Sequence, residues 1–207
     1  VLFSDHSATI ASEVELVPIN RFATLDFEEI YGRQAPIEID LGCGDGSFLA
    51  ALASENPDRD FLGIERLVGR VRSACGKIAR SGLKNARVVQ FEISYALERL
   101  LPENSVASFH LMFPDPWPKR RHAPRRLVNK KFLALLHRAL ATNGTVRIAT
   151  DDTEYYRQIM RLVSESSHFA AISDAAPAAA MSKFEKQFTL DGVKIHRLTL
   201  RKVSPVT

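Results

Sequence analysis

The sequence predicts a single α/β domain with a doubly wound, mainly parallel sheet and an antiparallel edge at its C-terminus. Three observations predict it. Short apolar runs alternate with stretches of helical apolar spacing, which demands crossover connections and hence parallel strands. A glycine-rich turn, Gly42-Cys43-Gly44-Asp45-Gly46, follows one of the first of these runs. Carboxylates recur where the runs end, at Asp40, Glu65, Glu92, Asp115 and Asp151.

The elements follow in order. Residues 1–35 read as an N-terminal segment, partly extended or helical, and residues 36–207 as the domain. Pro36–Leu41 reads as a strand, and Gly46–Glu55 as a helix with Phe48, Leu49, Leu52 and Ala53 inward. Asp60–Ile64 is the second strand, followed by a helix over Leu67–Arg80 with Leu67, Val71, Ala74, Cys75 and Ile78 on one face. Ala86–Gln90 is the third strand, Ser94–Leu101 a short helix and Val106–Phe113 the fourth strand. Lys130–Leu140 is helical, with Asn143-Gly144 read as its stop before the strand Thr145–Thr150. Asp152–Ser164 is a helix, and Gln187–Val203 alternates around Asp191-Gly192 like an antiparallel hairpin or edge pair.

Composition bounds the class. With 207 residues, 45% hydrophobic and 25% charged, the chain can bury one core and is neither collagen-like, coiled-coil nor disordered. No apolar run reaches the ~18 residues needed to cross a bilayer. Residues 1–11 carry no basic stretch followed by an apolar one, so no signal peptide is expected. Two cysteines suit a reducing compartment, and a cytoplasmic location is expected. The net charge of +4 hides an asymmetry. Residues 1–60 hold 3 Lys/Arg against 12 Asp/Glu, whereas 61–207 hold 25 against 12. The excess fits either a solvated basic face or a polyanionic partner.

Ligands of such sheets sit at the carboxyl ends of the strands, so the strand ends are where chemistry is expected. Glycines at 42, 44 and 46 permit a tight turn and let a ligand approach bare backbone at a helix N-terminus. The spacing is not that of the dinucleotide fingerprint. Asp40 would repel a pyrophosphate but suits a cation, such as the ammonium or sulfonium of S-adenosylmethionine. Glu65, 21 residues after Gly44, stands where a ribose diol is bound; taken alone it also reads as a helix-start acid. Glu92 reads equally as an adenine ligand or a cap. Phe113-Pro114-Asp115-Pro116-Trp117-Pro118 is stiffened by three prolines, presents one carboxylate and carries the only tryptophan. Lys119, Arg120, Arg121, Arg125, Arg126, Lys130 and Lys131 follow with no acid among them. Cations beside an aromatic suit a nucleic-acid backbone with a base nearby; whether Trp117 stacks or packs is open. The six histidines show no ligand spacing, so no metal is expected.

These residues resemble the bacterial tRNA (guanine-N7-)-methyltransferases of the TrmB type. Phe113-Pro114-Asp115-Pro116-Trp117-Pro118-Lys119 is the most specific element, backed in order by Gly63-Ile64-Glu65, Ala149-Thr150-Asp151 and Ser182-Lys183-Phe184-Glu185. The resemblance runs from about Arg21 to the end. It implies a class I, Rossmann-like methyltransferase fold with S-adenosyl-L-methionine as cofactor. It also implies methyl transfer to N7 of a guanine in the tRNA variable loop, the tRNA (guanine-46-N7-)-methyltransferase reaction. Carried over, the cofactor contacts fall on Asp40, Gly42, Gly44, Glu65, Glu92 and Asp115, with Asp115 catalytic. Substrate contacts fall on Lys119, Asp151, Ser182, Lys183, Phe184 and Glu185, and Arg120, Arg121, Arg125 and Arg126 are expected on the RNA backbone. Ser182 stands where the family commonly has Thr, and Glu92 replaces a frequent Asp. The rival readings are a methyltransferase of exocyclic base amines, a non-catalytic RNA-binding module and a nicotinamide dehydrogenase. A monomer and a homodimer are equally compatible with the sequence.

Overall fold

A computed structural model of the chain describes residues 13–172 and 183–203. They fall into two compact units, one ending at Pro102 and the other starting at Glu103. The first unit runs β1 (Glu15–Leu16), α1 (Phe27–Tyr31), β2 (Ile37–Leu41), α2 (Ser47–Glu55), β3 (Asp60–Glu65), α3 (Val68–Arg80), β4 (Ala86–Gln90) and α4 (Ile93–Tyr95). Its strands lie in the order β1-β4-β3-β2 and every pairing is parallel. Every residue of β2 and β3 is buried, as expected of strands covered on both faces. Phe48, Leu49, Leu52 and Ala53 of α2, and Val71, Ala74, Cys75 and Ile78 of α3, are buried as their spacing predicts. Leu67 departs from that face. It precedes α3 in extended conformation and is 42% exposed. After Tyr95 the helix widens into one π turn, Ala96–Leu100, closed by the Leu101 N–H donating to the Ala96 carbonyl at 3.2 Å.

The second unit runs β5 (Val106–Met112), a 3₁₀ segment (Arg120–Arg125), α5 (Lys130–Ala139), β6 (Leu140–Thr150), α6 (Thr153–Ser164), β7 (Phe169–Ile172), α7 (Lys183–Leu190) and β8 (His196–Lys202). The order is β5-β6-β8-β7, with β5 and β6 parallel and β8 antiparallel to both its neighbours. The antiparallel edge is present, and of the two expected forms, hairpin or edge pair, the hairpin within Gln187–Val203 is not the one formed. Gln187–Leu190 is helical, and β8 pairs with β6 and with β7, a strand that the sequence reading did not mark. Asp191-Gly192 ends α7 rather than turning a hairpin. Gly192, at φ +67°, donates to Thr189 O at 3.3 Å, and Val193 donates to Phe188 O at 2.8 Å, the two bonds of a Schellman ending. A left-handed glycine serves a hairpin turn and a helix end equally well, so the dipeptide alone could not choose.

Asn143-Gly144 is a second correction. The helix stops at Ala139, Leu140 is already extended, and the dipeptide lies inside β6. The β5–β6 register shifts there: Val106 is opposite Leu140 but Ser108 is opposite Thr145, so three extra residues of β6 are taken up around the dipeptide.

Candidate active site

In the first unit β2 and β3 pair in register, Asp40 opposite Gly63 and Leu41 opposite Ile64, so their acids end on one edge of the sheet. The turn after β2 hangs from β3: Gly42 N–H and Cys43 N–H both donate to Ile64 O, at 2.8 and 3.1 Å. Two glycines are dictated by space. A Cβ on Gly63 would lie 2.7 Å from Cys43 Sγ, and one on Gly46, whose φ is +74°, would lie 2.6 Å from Ala74 Cβ of α3. Turn and α3 are therefore packed at backbone distance.

Glu65, 4% exposed, ties the turn to the start of α3. Its Oε2 accepts from Gly44 N–H at 3.1 Å, and its Oε1 from Arg66 and Leu67 N–H at 2.8 and 2.9 Å. A carboxylate has about four acceptor positions; backbone N–H groups fill three here, and Arg70 Nη1 lies 3.9 Å from Oε2. Asp40 is buried at 3% exposure, and no group among the described residues donates to its carboxyl. Burial, and after it the charge of Glu65, pushes its pKa up to about 7. Asp45 behaves oppositely. Partial burial raises it, but hydrogen bonds from Ser47 and Lys77 outweigh that and bring it down to about 2. Lys77 Nζ lies 3.0 Å from Asp45 Oδ2 and also bonds Ser47, pinning the start of α2 to α3. Glu92 is exposed at the end of β4. One of its oxygens caps α4, accepting from Tyr95 N–H at 2.9 Å. The cap reading is thus realised, and among the described residues the second oxygen accepts no hydrogen bond. The Cys43 thiol is pushed well up by burial and by Asp40 and Glu65, which disfavours the nucleophilic thiolate.

In the second unit the loop after β5 opens at Phe113, whose φ is +54° and whose N–H donates to Ala149 O at 2.8 Å. Phe113 packs on Phe188 of α7, ring centroids 5.3 Å apart. Asp115 is exposed, and its Oδ1 accepts from Trp117 N–H at 3.1 Å. Trp117 packs: the Arg125 guanidinium lies 5.0 Å from its ring centroid and the His122 ring stands edge-on at 5.7 Å. Lys119, Arg121 and Arg125 are exposed.

Arg126 is not. At 5% exposure its Nε donates to Pro116 O at 2.7 Å, and its Nη1 bonds Gln158 and lies 3.5 Å from Glu154 Oε1. Arg126 is expected on an RNA backbone; here its guanidinium is engaged inside the unit, against α6. Nothing local distinguishes it from Arg125. Its partners lie ten positions upstream, at Pro116, and about thirty downstream, at Glu154 and Gln158.

β6 ends at the buried Thr150, leaving Asp151 exposed, while Asp152 caps α6 by accepting from Tyr155 N–H at 2.6 Å. Lys183, Phe184 and Glu185 lie in the first turns of α7; Ser182 lies outside the described residues. Among the described residues no group of three His, Cys, Asp or Glu could hold a metal, and no helix is long and apolar enough to cross a membrane.

The fold defines a class of protein. It is the class I methyltransferase fold, shared with solved structures at identities that carry the fold alone. The antibiotic-resistance methyltransferase Kmr is similar over 92% of this chain and 96% of its own, with TM-score 0.62 at 20% identity. An SAM-dependent O-methyltransferase from Thermotoga maritima is similar over 100% of this chain and 68% of its own, with TM-score 0.56 at 15% identity. A family model described as "Putative methyltransferase" matches residues 34–198.

Sequence relatives narrow the class. The tRNA (guanine-N(7)-)-methyltransferase of Thermotoga maritima is 36% identical over 94% of this chain, which spans 63% of that relative's length. Its counterpart in Syntrophotalea carbinolica is 30% identical over 96% of this chain and 88% of its own. That of Nitrosomonas eutropha is 33% identical over 87% of this chain and 82% of its own. The chain belongs to the tRNA (guanine-N(7)-)-methyltransferase family.

Proposed function

We propose that this protein is a cytoplasmic tRNA (guanine-46-N7-)-methyltransferase, moving the methyl group of S-adenosyl-L-methionine to N7 of a guanine in the tRNA variable loop. Residues 36–207 serve as its methyltransferase domain and 1–35 as an N-terminal segment. The observation that carries this reading is the Phe113–Pro118 loop, an exposed carboxylate on a fixed backbone that leads straight into cations.

The end of β2 fits the cofactor. A buried carboxyl held up at about 7, with no donor among the described residues, gains from an ammonium or sulfonium partner, and Gly42 and Gly44 place no side chain beside it, their N–H groups being held by Ile64 O and Glu65. Glu65 keeps one acceptor position for a hydroxyl of the ribose diol, and Glu92 keeps an oxygen for the adenine amine. Bound there, S-adenosyl-L-methionine supplies an electrophilic methyl group. Guanine N7 carries an exposed lone pair, so no residue has to remove a proton from it. What the chain contributes is alignment, worth on the order of 7–11 kcal/mol when good, and charge stabilisation. Asp115 stabilises the positive charge that develops on the purine. Asp151 and Glu185 accept from the guanine N1–H and amino group, a donor pair peculiar to guanine. Lys119, Ser182, Lys183 and Phe184 complete the substrate contacts.

The charge pattern supports a polyanionic substrate. Residues 66–91 hold seven Lys/Arg and residues 116–150 nine, with no acid in either stretch. Each begins just after a strand-end or loop carboxylate, Glu65 or Asp115. In the first stretch Arg66, Arg70, Arg72, Arg80 and Lys84 are exposed. In the second, Arg120, Arg121 and Arg125 take phosphates and Arg126 does not. Such a surface binds RNA with a strong salt dependence.

The test is nucleoside analysis of tRNA incubated with the protein and methyl-labelled cofactor. The expected product is 7-methylguanosine. Label in an exocyclic methylamine, or none in the RNA, would reject the reading.

A further inference from the structure

We propose that Arg126 is a positioning residue for the Asp115 carboxylate, acting through the Pro116–Trp117 peptide bond. That single peptide carries two hydrogen bonds on opposite edges. Its carbonyl, from Pro116, accepts from Arg126 Nε at 2.7 Å, and its N–H, from Trp117, donates to Asp115 Oδ1 at 3.1 Å. A peptide unit is a rigid plane, so the two bonds stand or fall together: rotation that breaks one misaims the other. A charged donor on the carbonyl also polarises the amide, which makes its N–H the stronger donor to the carboxylate.

The support behind Arg126 is rigid. Its Nη1 bonds the Gln158 side chain and its guanidinium lies 5.1 Å from the Tyr155 ring centroid, both residues belonging to α6. The Tyr155 hydroxyl accepts from Val128 N–H at 3.0 Å, which fastens the chain two residues beyond Arg126 to the same helix. Trp117 adopts φ +44°, a left-handed conformation that costs a bulky residue about 1–2 kcal/mol. Such a backbone persists only where its surroundings over-determine it. Here Arg126 supplies the restraint on the carbonyl side, and Arg125 and His122 supply it on the ring. A line of support therefore runs from α6 through Arg126 and one peptide plane to the carboxylate. Asp115 itself is exposed and has no other described donor to orient it.

This inference rests on the catalytic reading of Asp115, so Asp115→Asn is measured beside Arg126→Lys. The lysine keeps the cation but cannot form the Nε bond in the same geometry. Gln158→Met is the milder variant, loosening the guanidinium from outside. Trp117 is the only tryptophan, so its emission and acrylamide quenching report on this loop alone. For Arg126→Lys, kcat is expected to fall by about 10–100-fold, the range that small misplacement of a catalytic group produces. KM for tRNA and the salt dependence of binding stay within about twofold, and Trp117 becomes more quenchable. Gln158→Met shifts kcat and quenching the same way, by less. A folded Arg126→Lys with unchanged kcat, beside an inactive Asp115→Asn, overturns the positioning role alone. A raised KM and flattened salt dependence at constant kcat overturns it too, by making Arg126 an RNA ligand. Full turnover by Asp115→Asn instead removes the reading of Asp115 on which the role depends.

Discussion

Asp40→Asn should make the protein more stable above neutral pH and leave it unchanged in acid. Burial, with Glu65 adding to it, holds the Asp40 carboxyl at about 7 against an ordinary 3.8. Between those values the folded protein keeps a proton that the unfolded chain has released, so stability falls as pH rises through that window. Above pH 7 the loss is complete and amounts to ~4 kcal/mol at most. In a chain of this size that corresponds to roughly 8–16 °C in Tm. The neutral isostere has nothing to ionise and escapes the loss. Melting curves of wild type and variant should therefore coincide near pH 4 and draw apart by ~10 °C near pH 8. Cofactor binding gives the converse: a cationic ligand favours the ionised carboxylate, so wild-type affinity should strengthen as pH rises from about 5 to 8, and that of Asp40→Asn should not. Parallel Tm curves across the whole range would refute the claim that Asp40 is buried without a compensating donor.

Asp115→Ala should abolish methyl transfer while leaving melting temperature and most tRNA affinity in place; turnover near wild type, read by labelled-methyl incorporation, removes it from catalysis. Neutralising Arg120 and Arg121 together should flatten the log–log salt dependence of tRNA binding by ~0.7–0.9 per cation, and an unchanged slope would assign both to a solvated face. Gly46→Ala should cost about 2–4 kcal/mol by denaturant melts, because a left-handed φ and a Cβ placed 2.6 Å from that of Ala74 both penalise it.

Much of the site was legible one residue at a time. Asp40, Glu65 and Asp151 fall within one residue of the ends of β2, β3 and β6, because short apolar runs with polar punctuation locate strand ends well, and the Gly42–Gly46 turn stands between β2 and α2 as its composition requires. Glu92 shows the limit of such reading. A cap and an adenine ligand call for the same residue at the same place, and the structure shows the cap without cancelling the other oxygen. The tail shows another limit. Gln187–Leu190 alternates like a strand, yet it is helical, and Gln187 Nε2 bonds Asp191 one turn on at 3.0 Å. Eight residues are too few for periodicity to separate the two, and the antiparallel partners of β8 are β6 and β7, the nearer of them more than twenty residues upstream.

Local order along the chain sets the strand–helix alternation, the carboxylates near the strand ends, the proline-stiffened loop and the two stretches of cations without acids. Which charges remain available depends instead on packing. Arg125 and Arg126 are neighbours of identical chemistry, yet one covers a tryptophan in solvent and the other is enclosed against α6. Asp40 and Asp45 flank one turn, yet one is raised and the other lowered. Charge is written residue by residue, but its energy depends on burial and on partners brought together from distant parts of the chain.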